Sequence, residues 1–142
     1  MRNWSGHVEF GSTEVARPTS VPELQQLVAG SPRIHALGTA HSFNDLADTA
    51  GVHVSVADLP GSVVVDAERR IARVPGGLRY GEAASALDAA GWAVHNMASL
   101  GHISVAGTVA TGTHGSGDRN PTLSTTVQGL ELVTAEGDLV HL

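Results

Sequence analysis

The chain contains no cysteine and no lysine; all eight of its basic residues are arginine. Without cysteine there is no disulfide, no thiolate zinc site and no cysteine nucleophile. Without lysine there is no Schiff base and no Walker phosphate loop, which needs Gly-Lys. Charge is sparse: 15% of the 142 residues are charged and 42% are hydrophobic. That balance belongs to one folded domain with a core, not to a disordered chain. The net charge of -6, with no basic run, argues against nucleic acid as a partner. No window approaches the roughly 18 apolar residues of a membrane span. The N-terminal "MRNWSGHVEF" lacks the apolar run of a signal peptide, so a soluble, cytoplasmic protein is expected.

The chain stops on "GLELVTAEGDLVHL", which reads as strand, turn and strand ending on apolar residues. Natural C-termini more often fray in polar residues, so a fragment of a longer protein is expected.

Helix signals are clear in "TSVPELQQLVAG". Ser20 is the N-cap, Glu23 closes a capping box, and Pro22 sits in the first turn. Leu24, Leu27 and Val28 form one apolar face, and Gly30 ends the helix. "RIHAL" (residues 33–37) then reads as a short buried strand. "GVHVSVADL" alternates Val52, Val54 and Val56, the pattern of a half-buried strand. "SVVVDAERRIARV" predicts two strands with a turn at residues 67–70. Residues 79–91 predict a helix with Ala83, Ala84, Leu87 and Ala90 on its apolar side. "TTVQGLELVTAEGDLVHL" predicts a closing hairpin that turns at Glu136-Gly137-Asp138. Strands cluster between helices without strict βαβ alternation, which points to α+β with mixed sheets flanked by helices.

Two stretches carry candidate chemistry. In "ALGTAHSFNDLAD" (residues 36–48) a strand runs into Gly38-Thr39-Ala40-His41-Ser42. A tight turn of this kind aims several main-chain N–H groups to one side, a nest for anions and for phosphate above all. Thr39 and Ser42 add hydroxyl donors. The spacing is not Gly-x-Gly-x-x-Gly, so the usual dinucleotide fingerprint does not apply. On spacing alone, a plain strand-to-loop turn is the stronger reading.

The second stretch is "NMASLGHISVAGTVATGTHGSG" (residues 96–117). Its glycines permit close backbone approach to a ligand, and its hydroxyls donate without bringing charge. A large ligand such as a flavin dinucleotide suits that chemistry. A tight helix over "SVAGTVATG" packed on small residues, followed by a loop, accounts for it equally well. The eight histidines show no His-Glu-x-x-His pattern, so no metal site is expected. There is no Gly-x-Ser-x-Gly elbow for a Ser-His hydrolase either. Glu82 and Asp88 read as a solvated helix face.

Together, "LGTAHSFNDLAD" and "NMASLGHISVAGTVATGTHGSG" resemble the N-terminal flavin domain of alditol (xylitol) oxidases, in the vanillyl-alcohol oxidase superfamily. The resemblance spans essentially the whole chain, from "NWSGHVEF" to "LELVTAEGDLV". It implies the N-terminal portion of a PCMH-type FAD-binding domain over residues 1–142, with FAD as cofactor. It implies that His41 bonds covalently to the flavin's 8α carbon. It implies that Gly38, Thr39, Ala40 and Ser42 hold the pyrophosphate. Ser99, Ser104, Gly107, Thr111, Gly112, Thr113 and His114 would line the FAD. Some relatives carry a second glycine where Ala40 stands, which loosens the nest and leaves His41 untouched.

The activity implied is oxidation of an alditol's terminal hydroxyl to an aldose, with dioxygen reduced to hydrogen peroxide. The partners implied are a polyol and dioxygen. The base and the polyol-holding groups of this family come from a later substrate domain, so catalytic residues are expected outside these 142 residues. Two alternatives stand beside this reading: a flavin-binding module without catalysis of its own, and a sugar-lactone oxidase flavin domain.

Overall fold

The computed structural model describes residues 1–142. In chain order the elements are β1 (Val15–Ala16), α1 (Val21–Gly30), β2 (Ile34–Ala36), β3 (Val52–Val54), β4 (Val64–Asp66), β5 (Ile71–Arg73), α2 (Tyr80–Ala89), α3 (Val105–Ala110), a 3-10 turn (Leu123–Thr126), β6 (Glu131–Val133) and β7 (Leu139–His141). The class is α+β, with short mixed sheets and few helices. Two compact units make up the chain: Met1–Pro60 with Gly129–Leu142, and Gly61–Gln128.

The first unit holds a three-stranded parallel sheet in the order β1-β3-β2. Helix α1 links β1 to β2. Its Ser20 hydroxyl accepts from the Glu23 N–H at 3.3 Å. The Glu23 carboxylate returns to the Thr19 N–H at 2.8 Å, so the capping box closes one residue upstream of the N-cap. Leu24 is buried.

The short strand predicted as buried is not buried. His35 and Ala36 of β2 are exposed, because β2 is an edge of its sheet. The strand predicted as half-buried is covered on both faces. Val54 packs on one side, while His53, at 0% exposure, and Ser55 are buried on the other. Strand β3 lies between two neighbours, and the Phe10 ring meets the His53 ring at a 40° tilt with centroids 5.4 Å apart. Sequence pattern gave no sign of the two-residue β1.

The hairpin β6–β7 turns as expected. Gly137 takes φ +87°, its N–H donates to the Thr134 carbonyl at 2.9 Å, and its carbonyl accepts from Gln25 of α1 at 2.7 Å. This hairpin starts at Glu131. Of the residues predicted as its leading part, Thr125 and Thr126 end the 3-10 turn, which buries Leu123, and residues 127–130 belong to no regular element.

In the second unit β4 and β5 pair antiparallel around a 67–70 turn with Arg70 at φ +55°. Helix α2 follows its predicted span closely. The Arg79 N–H donates to the Glu82 carboxylate at 2.9 Å, and Gly91 leaves the helix at φ +78°. Its buried side is Tyr80, Ala83 and Leu87, and burial raises the pKa of the Tyr80 phenol. Ala84 is half-buried and Ala90 exposed, since the buried stripe follows the i, i+3, i+7 line instead. No helix is long and apolar enough to cross a membrane.

Gly51 opens β3, and a Cβ there would fall on the Arg33 carbonyl. A Gly51→Ala variant is therefore expected to lose about 1–3 kcal/mol, the usual cost of overpacking. Urea unfolding checks this, and a loss under about 0.5 kcal/mol would show that β2 and β3 can separate without penalty.

Candidate functional site

The loop between β2 and β3, residues 37–51, begins where the Leu37 N–H donates to the Val54 carbonyl at 2.8 Å. It then turns through Gly38, Thr39, Ala40, His41 and Ser42. Ala40 takes φ +55°, a left-handed conformation that favours glycine. This is why a glycine suits the position, and it gives the loop the backbone reversal of a nest. The main-chain N–H groups of Gly38, Thr39, Ala40 and Ser42 donate to no protein acceptor. The turn therefore presents donors, as the sequence suggests.

The His41 ring is held from two sides. Its Nδ1 lies 3.1 Å from the Thr39 carbonyl, which can only accept, so Nδ1 carries the proton of that bond. Its face stacks on Trp4, with ring centroids 4.6 Å apart and planes 26° from parallel. The N-terminal segment also grips the loop backbone. The Trp4 N–H donates to the Ala40 carbonyl at 2.8 Å, and the Asn3 Nδ2 donates to the Ser42 carbonyl at 2.8 Å. Asn3 is buried, and its Oδ1 accepts from Val8 N–H and the Ser5 hydroxyl. Sequence reasoning assigned no role to Asn3 or Trp4. The only signal was a tryptophan inside the turn-like Asn3-Trp4-Ser5-Gly6.

In the other unit, residues 76–81 and 101–106 run side by side. Tyr80 and Gly81 N–H groups donate to the Ile103 and Gly101 carbonyls at 2.9 and 2.7 Å. Val105 and Ala106 N–H groups donate to the Leu78 and Gly76 carbonyls, both at 2.9 Å. Each helix start thus satisfies the donors of the other. Gly81 allows this approach, since a Cβ there would lie 3.1 Å from the Gly101 carbonyl oxygen.

What stays available is a hydroxyl. Ser104, the N-cap of α3, makes no side-chain cap bond; it is 6% exposed and its Oγ has no protein partner. Gly107 leaves room beside it, because a Cβ there would come within 2.7 Å of that Oγ. The Thr111 hydroxyl donates to the Gly107 carbonyl at 2.8 Å and lies 3.3 Å from the Thr113 hydroxyl. Ser104, Gly107, Thr111 and Thr113 are thus gathered along α3, with Gly112 turning at φ +64°. Ser99 and His114 are exposed and stand outside this set. His114 Nδ1 lies 2.9 Å from its neighbour's carbonyl at Gly115. No group of three or more His, Asp or Glu side chains gathers as a metal site.

A family model described as FAD binding domain matches residues 13–142. The chain belongs to this FAD binding domain family. It is similar to alditol oxidase from a Streptomyces species, at 48% identity over 99% of this chain and 34% of that protein. It is similar to L-gulono-1,4-lactone dehydrogenase of Mycobacterium tuberculosis, at 33% identity over 99% of this chain and 34% of that protein. L-gulonolactone oxidase of Bos taurus follows at 29% identity, over 99% of this chain and 33% of that protein. The chain spans about a third of the length of these curated relatives.

An FAD binding domain needs neutral donors and close backbone approach. The unused N–H groups of Gly38, Thr39, Ala40 and Ser42 and the buried, unpartnered Ser104 hydroxyl beside Gly107 fit that need.

Ala40→Gly is expected to raise stability by about 0.5–1 kcal/mol, since relief of left-handed strain exceeds the added entropy of glycine. Urea unfolding reads it, and a fall would mean that Ala40 is unstrained. Ser104→Ala is expected to leave the flavin-free stability level or higher, because the hydroxyl lost has no partner. The same change should weaken FAD binding roughly three- to ten-fold by titration, the size of one hydrogen bond. Unchanged affinity would remove Ser104 from the site.

Proposed function

We propose that this chain is the N-terminal part of the flavin domain of a bacterial, cytoplasmic FAD-dependent alditol oxidase, with His41 as the covalent flavin tether. The observation that carries the substrate reading is the 48% identity to an alditol oxidase, against 33% and 29% to the lactone-acting relatives. A sugar-lactone oxidase is the second reading, since those relatives match the same share of the chain.

In this reading FAD would supply the two-electron chemistry for oxidising the polyol's terminal carbinol carbon, with dioxygen as the final acceptor. The residues of this chain hold and orient the FAD. Main-chain N–H groups of Gly38, Thr39, Ala40 and Ser42, with the Thr39 and Ser42 hydroxyls, would bind the pyrophosphate. His41 would fix the ring system, its own ring oriented by Thr39. Ser104 would donate its hydroxyl, and Gly107, Thr111, Gly112 and Thr113 would let the cofactor approach closely. Ser99 and His114, exposed, would join the lining only along the cofactor's outer edge. No substrate acid or base is assigned within residues 1–142; those groups belong to the remainder of an oxidase of this kind.

The test is the intact mass of the denatured complete gene product beside its His41→Ala variant. A gain of one FAD on the wild type that the variant lacks is expected. Peroxide release with xylitol or sorbitol, and little with L-gulono-1,4-lactone, is expected from the same preparation. FAD that filters away from the denatured wild type would remove the tether, and preferential turnover of the lactone would move the assignment to the second reading.

A further inference from the structure

We propose that Trp4 and Asn3 are positioning residues that hold the His41 loop in the geometry needed for covalent flavin attachment. The inference rests on His41 being the tether. The attachment forms one C–N bond between a His41 ring nitrogen and the flavin's 8α carbon. One hydrogen leaves the imidazole ring and one leaves that carbon. The two electrons and two protons released pass to dioxygen, giving hydrogen peroxide. An imidazole on a mobile loop makes such a bond slowly, because it must first find the reacting carbon and the right angle.

Three contacts from the Asn3-Trp4 segment restrict this imidazole. The indole of Trp4 covers one ring face at 4.6 Å. The Trp4 N–H holds the carbonyl of Ala40, the residue just before His41, at 2.8 Å. The Asn3 side chain holds the carbonyl of Ser42, the residue just after it, at 2.8 Å. The histidine is thus fixed through both neighbouring peptides and through its own ring.

The clamp is itself stiff. Asn3 donates its N–H to the Val8 carbonyl at 3.0 Å and accepts the Val8 N–H on its side chain at 3.1 Å, and Phe10 N–H bonds the Met1 carbonyl at 2.8 Å. Arg2 and Glu9 pair antiparallel across the same small hairpin.

Trp4 is 59% exposed, so little of its apolar surface serves a core. Its indole lies on the one side chain that the loop presents for chemistry. A large aromatic left mostly in solvent yet stacked on a histidine is explained by the histidine, not by packing. The electron-rich indole face also favours the positive charge that grows on an imidazole as its nitrogen forms a bond.

The experiment uses the complete gene product prepared without flavin. FAD and dioxygen are added, and covalent incorporation is followed by in-gel flavin fluorescence and intact mass. Four proteins are compared: wild type, Trp4→Ala, Trp4→Phe and Asn3→Leu. Trp4→Ala is expected to slow attachment about ten-fold or more, while affinity for non-covalent FAD stays within about two-fold. Trp4→Phe keeps a stacking ring and should recover most of the rate. Asn3→Leu should slow attachment as Trp4→Ala does.

Thermal unfolding of each variant separates slow attachment from misfolding, and exposed Trp4 provides the variant pair least tied to folding. Attachment at the wild-type rate in Trp4→Ala overturns the inference and leaves His41 as tether. Equal slowing in Trp4→Phe and Trp4→Ala also overturns the role of the stack. A wild type that never links FAD overturns the tether and this inference together.

Discussion

The parallel pairing of β2 with β3 is the constraint on which the first unit depends. Parallel neighbours cannot be joined by a tight hairpin; the chain must travel back along the sheet before it can re-enter in register. Such a crossover is usually a helix, whose own hydrogen bonds satisfy its backbone. Here it is the irregular segment of residues 37–51, which carries His41. Its backbone needs partners from elsewhere, and the fold supplies them at both ends. The outward arm is held by Asn3 and Trp4. The returning arm is held by His53 of the central strand, whose Nε2 lies 2.9 Å from the Ala47 carbonyl, and by Asp48, which accepts from the Gly11 N–H at 2.7 Å. Gly51 then brings the chain against Arg33 so that β3 can start. With the carbonyls of Ala40 and Ser42 held and the returning arm fixed, the N–H groups of Gly38, Thr39, Ala40 and Ser42 are left without a protein acceptor.

The second unit solves a different problem with the same economy of side chains. Two helix starts lie together, and each would ordinarily leave N–H groups unsatisfied. By pairing their lead-in segments they satisfy the first two N–H groups of each helix. The Ser104 hydroxyl is then left over, buried and unpartnered, in a position where an N-cap serine would normally bond its own helix. A buried hydroxyl without a partner costs free energy in a finished core. On the proposed reading that cost would be offset when the hydroxyl donates to bound FAD.

Much of this was legible in the sequence, for identifiable reasons. Helices α1 and α2 and the hairpins β4–β5 and β6–β7 are local structures. Ser20 with Glu23, Gly91, and the glycine turn at 137 announce their own ends. The parallel sheet was not legible, because pairing across it is a matter of topology. Val52, Val54 and Val56 alternate as a half-buried strand would, yet His53 is buried because Phe10 and the returning loop at Ala47 meet its ring, and no local pattern announces them. The same limit applies to the site. A donor-bearing turn at residues 38–42 was the weaker of two readings on spacing alone, and the flavin role was suggested only by the resemblance. Asn3 and Trp4 could not be read at all: their partners are near forty positions away, and nothing local joins them.

Charge gives the proposed tether a physical reason. Neither candidate stretch contains a lysine or an arginine, and the whole chain carries a net charge of -6. A pyrophosphate held by residues 38–42 would therefore meet N–H dipoles and hydroxyls, not cations. Dipoles give direction and tolerate desolvation well, but each neutral bond contributes only about 0.5–1.5 kcal/mol net. Charge-assisted bonds are roughly twice as strong. Such a cradle orients an anionic cofactor better than it retains one. A covalent bond through His41 would end dissociation without adding a cation beside the flavin, whose electronics a nearby positive charge would alter. On that reading, the absence of lysine, the unused backbone donors and the clamped histidine are parts of one solution: dipoles place the cofactor, and a single bond keeps it there.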